Sequence, residues 1–236
     1  MANRQAVLAL LLSALVSVVT FGVIFLVPAF MQSIQGRTPL IAGLTLLPQG
    51  LVTGVGAVIG NQLPHRWGTR STVLLGMALL TVSTLALYAV TDTSPAWVTA
   101  LLIIGRGFAI GLVIQPLLNG LMGFLPADRI PDGTTVFNIV ERLGGTVGIG
   151  LLVTLFTVRE KAQVQAVAIQ HHLSSAQVFT AVNQPAYAST VVVHFVQNAE
   201  TVGFHDVVGV IAGISLVGFL LAAAIRSPQK ERNNQA

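Results

Sequence analysis

Three polar side chains interrupt one long apolar stretch, Leu101–Gly120, and are the first candidates for chemistry. Arg106 lies between two glycines, and Gln115 and Asn119 follow it. If the stretch crosses a bilayer, a guanidinium near the centre costs roughly 2.5 to 3.5 kcal/mol and is usually retained where it faces a cavity or a partner. Gln115 and Asn119 are four residues apart and share a helix face, and we predict that Arg106 lies within about one residue's rotation of it.

The spacing therefore predicts a polar cleft lined by Arg106, Gln115 and Asn119. The alternative is a helix that begins later, from which Arg106 extends to the headgroups of the nearer leaflet. The stretch from Gly107 to Ala127 has no charge and is long enough to span a bilayer without the arginine.

An acid and a base stand next to each other in a second apolar stretch, at Glu141 and Arg142. Two interpretations stay open: the pair anchors a helix at the membrane interface, or it lines an inner cavity. Adjacent residues point about 100° apart on a helix, so both cannot line one narrow cleft. A neutralised carboxylate at membrane depth can carry a proton, which makes Glu141 a candidate for proton-linked chemistry.

Motifs of enzymes and metal sites are missing from the sequence. It contains no G-x-S-x-G, H-E-x-x-H or P-loop pattern, and no cysteine. His171, His172, His194 and His205 fall between or beside apolar segments, without a partner at the spacing of a metal site. We predict no enzyme activity, no cofactor and no metal.

Composition indicates the environment of these residues. Hydrophobic residues make up 53% of the 236 and charged residues 8%, against roughly 25% charged residues in a soluble domain. The net charge of +4 is spread singly or in pairs between apolar runs, so it predicts membrane topology and not nucleic-acid binding. The chain is predicted to be a multi-pass protein of the cell's inner (plasma) membrane, with the lipid bilayer as its surroundings.

Six apolar segments are long enough to span a bilayer as helices. Thr38-Pro39 and Ser94-Pro95 each combine a capping residue with a proline at a helix start. The predicted helices cover residues 7–30, 39–60, 72–90, 95–124, 134–158 and 207–225. We predict one all-α domain over residues 1–236, a six-helix transmembrane bundle.

Basic residues between the helices predict the orientation. With the N-terminus inside, the inner side collects Arg4, Arg66, Arg70, Arg129, Arg226, Lys230 and Arg232, and the outer side has Arg37, Arg159 and Lys161. Both termini are therefore predicted to be cytoplasmic, and residues 159–206 to form a long extracytoplasmic loop with helical turns on the membrane surface.

Glycines four residues apart recur in the apolar segments and predict close helix packing. The pairs are Gly50/Gly54, Gly56/Gly60, Gly107/Gly111, Gly144/Gly148 and Gly209/Gly213.

The segment Gly60-Asn-Gln-Leu-Pro-His65-Arg66-Trp-Gly68-Thr-Arg70 resembles the G-x-L-x-D-R-x-G-x-R loop of the major facilitator superfamily. Residues 26–48, with Pro28, Gln32, Gly36, Pro39, Gly43 and Pro48, and residues 137–148, with Asn138, Gly144, Gly145 and Gly148, are similar to the second half of its fourteen-helix drug/proton antiporters. His65 stands where that loop has its acid.

The resemblance implies half of a proton-coupled efflux permease for small amphipathic compounds. It makes Arg106, Gln115 and Asn119 candidates for the substrate cleft, and Gly60, His65, Arg66, Gly68 and Arg70 candidates for an inner gate loop. The chain opens where the second half of such a protein begins, so the expected partner is a missing N-terminal half or a second copy, with a small-molecule substrate and protons. The alternative function is a non-transporting remnant or a membrane partner subunit of a full-length permease.

Overall fold

A computed structural model describes residues 2–123, 125–174, 176–178, 180 and 190–224. The helices in chain order are α1 (Ala2–Ser33), α2 (Pro39–Gln62), α3 (Pro64–Trp67), α4 (Thr69–Leu85), α5 (Ala96–Met122), α6 (Ile130–Gln170) and α7 (Thr190–Ala224). Short 3-10 turns cover Ala86–Ala89 after α4 and Ala127–Arg129 before α6. In the described residues six helical spans are long and apolar enough to cross a membrane, one of them formed by α4 together with its 3-10 turn (Thr69–Ala89). This confirms the predicted all-α, six-helix class.

Of the two predicted N-terminal caps, the one at Thr38 forms and the one at Ser94 does not. Thr38 Oγ1 accepts a hydrogen bond from Ile41 N at 3.4 Å, with Pro39 in the first turn of α2. Ser94 does not cap α5, which begins at Ala96; its Oγ accepts from Thr91 N at 2.9 Å and closes the preceding turn. A turn of this kind uses the same hydroxyl chemistry as a cap.

The bundle is arranged around α1, which contacts α2, α5, α6 and α7. Its buried face contributes a continuous apolar row to the core, formed by Leu12, Val16, Val19, Val23, Val27 and Phe30. The α2 helix packs mainly on α5, and α4 packs on α5 and α7. The first helix thus contacts both the α2–α5 pair and the α6–α7 pair, and α4 bridges α5 and α7 as well.

Four of the predicted glycines make the contact between α2 and α5. A Cβ at Gly56 would lie 2.5 Å from Phe108 O, and one at Gly60 would lie 2.8 Å from Gly111 O. Gly107 and Gly111 face α2 in return, Gly111 against backbone atoms of Thr53 and Ala57. Small residues let two helix backbones approach to contact, so the close-packing prediction is confirmed for these two pairs.

Close packing is also confirmed for Gly144 and Gly148, and the remaining glycine pairs differ. Gly144 and Gly148 pack against α1, at Ala14 and Val18. Gly209 faces the Tyr88 hydroxyl, whereas Gly213 has nothing within 4 Å of its Cβ position. Gly43, Gly50 and Gly54 on α2 are also open in this sense, and we call these three the open glycines.

The loop predicted over residues 159–206 is wrong for the described residues at both of its ends. The α6 helix continues through Arg159 to Gln170, and α7 begins at Thr190. The residues that follow the apolar run include Arg, Glu, Lys, Ala and Gln, which are good helix formers. The charged residues therefore predict the end of the apolar segment but not the end of the helix. At 41 residues α6 is ~60 Å long, about twice the thickness of a hydrocarbon core.

Side chains pair the extended parts of α6 and α7. Arg159 Nη1 lies 3.8 Å from Asp206 Oδ2, and Gln163 Nε2 donates to the same oxygen at 3.4 Å. Farther along, Val192 and Val196 pack with Val164 in a small apolar cluster separate from the main core. These contacts give the extension a hydrophobic interior of its own.

Some predictions fall outside the described residues. These are the predicted helix ends at Phe124 and Ile225, the inner basic residues Arg226, Lys230 and Arg232, and most of the loop between residues 175 and 189. The orientation of the bundle in the membrane stays a prediction.

A prediction follows for the α2–α5 contact. Gly111→Ala should lower stability by about 1–3 kcal/mol, because the added methyl overlaps backbone atoms that cannot rotate away. Gly54→Ala is the matched control, since its Cβ meets nothing within 4 Å and alanine favours helix. Thermal unfolding in detergent, followed by the fluorescence of Trp67 and Trp97, measures both; equal stability of the two variants would contradict the assigned packing.

Candidate functional site: a cavity between four helices

A cavity of about 370 Å³ opens between α1, α2, α5 and α6. Its walls are mostly apolar, as is usual for small-molecule sites, which occupy ≈ 300–1,000 Å³. The lining residues are Thr20, Phe21, Ile24, Leu46, Gln49, Gly50, Thr53, Ile110, Ile114 and Glu141. The cavity therefore combines apolar walls with four polar side chains, of which Glu141 is the charged one.

Glu141 and Arg142 have different surroundings, as their angular separation requires. Glu141 is half-buried and lines the cavity, whereas Arg142 is exposed and is not part of the lining. Of the two interpretations left open by the sequence, the geometry favours cavity lining for the acid alone. The base lies on a different face of α6 and is not part of the lining.

Gln49 and Thr20 are buried in the cavity wall, and one oxygen of each has no hydrogen-bond partner among the described residues. Gln49 is 5% exposed and its Oε1 has no partner, and Thr20 is 9% exposed and its Oγ1 has none either. Thr53 Oγ1 donates to Gln49 O at 2.8 Å within α2. Buried polar atoms are nearly always paired, so two unpaired ones in the wall of one cavity are unusual.

Sequence reasoning missed these residues because it followed charge. Gln49 and Thr53 are one helical turn apart in α2, a spacing that is visible in the sequence. Thr20 follows Ser13 and Ser17 at helical spacing, but nothing in that row marks it as the one without a partner. Threonines are common in membrane helices, where the hydroxyl bonds a carbonyl of the preceding turn. The signal at Thr20 is the missing partner, which only coordinates reveal.

Arg106 is not in the cavity. It is 0% exposed and points between α1 and α4, where Nη1 donates to Thr84 Oγ1 at 2.8 Å and Nη2 donates to Val19 O. Within the described part of the chain no carboxylate lies within 4.0 Å of the guanidinium, and its Nε has no partner. The side chain therefore lies neither in a cleft nor at the lipid headgroups. It lies in the core and joins α5 to α4 and α1 by hydrogen bonds.

The predicted common face of Arg106, Gln115 and Asn119 is therefore wrong. Nine residues are two and a half turns of an α-helix, so Arg106 and Gln115 point to opposite sides. Gln115 is half-buried and does not line the cavity. Asn119 is exposed, and its Nδ2 donates to Asn61 Oδ1 at 2.7 Å, which joins α5 to the end of α2.

The proposed gate-loop residues lie around the turn between α2 and α4. Gly60 is inside α2 against α5, and Gly68 has φ +81°, a conformation that favours glycine, where α3 meets α4. Arg70 Nη2 donates to Ala223 O at 2.6 Å, near the end of the described part of α7. His65 and Arg66 are exposed. The loop is thus linked to α7 through one arginine.

The histidines do not converge. His171 stacks on Phe195 at 3.9 Å between ring centroids, and His205 Nε2 lies 2.9 Å from Val90 O. The side chain of His194 lies outside the described residues. Among the side chains that are described, no three His, Asp or Glu groups come together at metal-binding distance.

The sequence matches the family model of the Major Facilitator Superfamily over residues 1–149. With the six-helix bundle and its cavity, this places the protein in a defined class: the chain belongs to the Major Facilitator Superfamily and is a multi-pass membrane protein. The family consists of membrane transporters and not of enzymes, as the absence of enzyme motifs predicted. The resemblance found in the loop and glycine motifs is confirmed at the level of the superfamily.

Sequence comparison also identifies individual relatives within the superfamily. The chain is 28% identical to the uncharacterized MFS-type transporter YcnB of Bacillus subtilis over 95% of its own length and 42% of that protein. It is 28% identical to a multidrug resistance protein B homolog of Mycobacterium tuberculosis, over 66% of the chain and 29% of the relative. It is 25% identical to the lincomycin resistance protein LmrB of Listeria monocytogenes, over 59% of the chain and 30% of the relative. The chain spans less than half the length of these relatives.

The Arg106 tie leads to a prediction at Thr84. Thr84→Val removes the side-chain acceptor of a buried guanidinium and should lower stability by about 1–3 kcal/mol. Thr81→Val is the control, because Thr81 on the same helix bonds only to Met77 O. Thermal unfolding in the same detergent compares the two; a loss at Thr84 no larger than at Thr81 would rule out a stabilising tie.

Proposed function

We propose that this chain is one six-helix half of a proton-coupled efflux permease of the plasma membrane, with small amphipathic compounds as substrates. The observation that carries the proposal is the cavity, where Glu141 is the one carboxylate among the described lining residues and the walls are mostly apolar. Relatives named for multidrug and lincomycin resistance support a drug-like substrate class.

The chemistry of the cavity favours amphipathic cations. Phe21, Ile24 and Ile110 offer apolar surface, and Glu141 offers a negative charge. Arg142, the adjacent base, is exposed and does not line the cavity. An apolar compound with one positive charge buries its body against the walls and pairs its charge with the carboxylate.

Proton coupling follows if the same carboxylate binds a proton or the cation, and not both. Protonation removes the charge that holds the substrate, and substrate binding displaces the proton. Exchange of the two across the membrane then needs one titratable group that is reached from each side in turn. Glu141 is the acid that lines the cavity and so has this role in the proposal.

A half-module needs a second wall for its cavity. The two helices that flank the cavity, α2 and α6, are the least buried of the six, and they expose large apolar residues such as Leu51 and Leu143. The open glycines of α2 lie on this side, since Gly50 lines the cavity. Glycines without a packed neighbour suit the close approach of another transmembrane helix. The proposed partner is a second six-helix half, supplied by an N-terminal half or by a second copy of the chain.

Glu141→Gln tests the cation and proton roles together. The purified protein in lipid nanodiscs should bind tetraphenylphosphonium and release about one proton per cation, because the cation displaces the proton from one carboxyl. Glu141→Gln should weaken binding about tenfold or more and abolish proton release. Glu160→Gln, an acid on the same helix outside the cavity, is the matched control. Unchanged binding and proton release in Glu141→Gln would refute the assigned role.

The absence of cysteine allows a clean test of the second half. A benzophenone attached to a thiol introduced by Gly54→Cys should crosslink in membranes to a homologous six-helix chain or to a second copy, because Gly54 faces open space beside the cavity. Val82→Cys on α4, where the side chain is 63% exposed away from the cavity, should label lipid only. Mass spectrometry identifies the adduct; equal protein crosslinking at both positions, or none at either, would contradict a seam along α2.

A further inference from the structure

Two carboxyl groups lie close together where α6 and α7 continue beyond the apolar segments predicted over residues 134–158 and 207–225. Glu160 belongs to α6 and Glu200 to α7. The two helices are in backbone contact at this level, since a Cβ at Gly203 would lie 3.1 Å from Glu160 N. Residues three apart share a face of a helix, so Glu200 is on the side of α7 that packs against α6. The pair is thus part of the interface that holds the extension together.

Glu200 is a buried acid in this interface. It is 5% exposed and lies one helical turn from Val196, which packs in the small apolar cluster of the extension. One turn farther along α7, Phe204 packs on Phe30 of α1 at 4.2 Å between ring centroids. Within the described part of the chain, no Arg, Lys or His nitrogen lies within 4.0 Å of the Glu200 carboxylate. A carboxylate that leaves water without a cation to pair with is strongly disfavoured, and the group takes up a proton instead.

The charges on α6 and α7 do not compensate Glu200. Arg159 lies 3.8 Å from Asp206 and is engaged there. Lys161 favours the ionised form of its neighbour Glu160, whose own pKa is raised by burial. Burial and the charge of Glu160 together raise the pKa of Glu200 to about 7.

The other elements packed on α7 bring no cation to Glu200 either. Among the described residues, the ring of His205 lies against Tyr88 and its Nε2 lies 2.9 Å from Val90 O. The α1 and α4 helices contribute Arg4 and Arg70, each at the end of its helix away from the extension. The adjoining loops contain Arg37 and Asp92, and neither makes an ion pair with Glu200.

We propose that Glu160 and Glu200 form a proton-operated clasp: protonation of Glu200 holds the extensions of α6 and α7 together, and its ionisation lets them separate. An ionised Glu200 regains water and moves away from the Glu160 charge only by leaving the interface. The clasp is independent of the proposed efflux function, since neither glutamate lines the cavity.

Proton linkage gives the direction of the pH dependence. A glutamate free of the interface has its ordinary pKa of 4.5, and the docked Glu200 has a pKa of about 7, so the docked state keeps a proton that the separated state releases. Docking is therefore strongest below about pH 4.5, weakens as the pH rises and stops changing above about pH 7. The docking constant should fall on the order of a hundredfold across this window.

Spin labels on the two extensions measure their separation. Gln165→Cys and Asn198→Cys place one label on each helix at exposed positions, in a chain that has no cysteine. Double electron–electron resonance is recorded on the labelled full chain in lipid nanodiscs from about pH 4.5 to about pH 8.5. It should show one short distance in acid and a longer population that grows with pH and levels off above about pH 7.

Three variants locate the proton. Glu200→Gln keeps the shape of the side chain without its charge and should keep the short distance at every pH. Glu160→Gln should move the transition to lower pH, because it removes the like charge and leaves the burial. Asp206→Asn is the matched control, since Asp206 is an acid of the same interface that is paired with Arg159, and it should retain the transition.

A separation that does not change with pH in the wild-type chain would overturn the clasp. So would the wild-type transition, or a long distance at every pH, in Glu200→Gln. Loss of the transition in Asp206→Asn would assign it to the ion pair and would also overturn the proposal.

Discussion

Close backbone contact between α2 and α5 is the constraint on which the cavity depends. Lipid is as apolar as the helices, so burial alone does not hold two helices together in a bilayer, and packing must do so. Gly56, Gly60, Gly107 and Gly111 remove the side chains that would separate these helices. A Cβ at Gly107 would lie 2.5 Å from Gln49 O, so the contact runs directly behind the residue that presents an amide to the cavity. A change in the distance between α2 and α5 would displace both Gln49 and Thr53 relative to the rest of the cavity lining.

Buried polar groups serve two different purposes in this bundle. Arg106 is largely satisfied by the protein, through Thr84 and the Val19 carbonyl, and it joins α1, α4 and α5. Gln49 and Thr20 line the cavity, but their unpaired atoms, Gln49 Oε1 and Thr20 Oγ1, are themselves buried within its wall. The two kinds meet on α1, where Arg106 bonds the carbonyl of one residue and the next residue lines the cavity. The Arg106 charge is thus held by two hydrogen bonds behind the wall, with its Nε unpaired, and the cavity lining carries polar groups of its own.

In α6 and α7 the helix continues beyond the end of the apolar segment. Arg159, Glu160 and Lys161 interrupt the apolar run but continue the helix, and Arg159 pairs with Asp206 across to α7. The extension is tied to the rest of the bundle by Gln197 Nε2, which donates to Ile34 O at 3.4 Å, and by His205 at Val90 O. Hydropathy indicates which part of a helix is surrounded by lipid. Helix propensity and contacts with neighbouring helices determine how long the helix is.

The sequence by itself determined the class of this protein and its six helices. Apolar runs of more than 20 residues have few alternatives to a membrane helix, because every backbone hydrogen bond must be made inside the segment. Glycines four residues apart predicted the α2–α5 contact, since that spacing places them on one ridge. The loop and glycine motifs of the sequence alone indicate the superfamily.

Only the tertiary structure decided which polar residues face the cavity. Arg106 was the strongest candidate by charge and depth, yet a rotation of half a turn from Gln115 sends it into the core, where Thr84 and Val19 satisfy it. Gln49 and Thr20 gave almost no signal, because a polar residue in an apolar segment has the same composition whether a neighbouring helix satisfies it or not. Which side of a helix is buried, and which polar atom stays unpaired, depends on contacts between residues that are far apart in the chain.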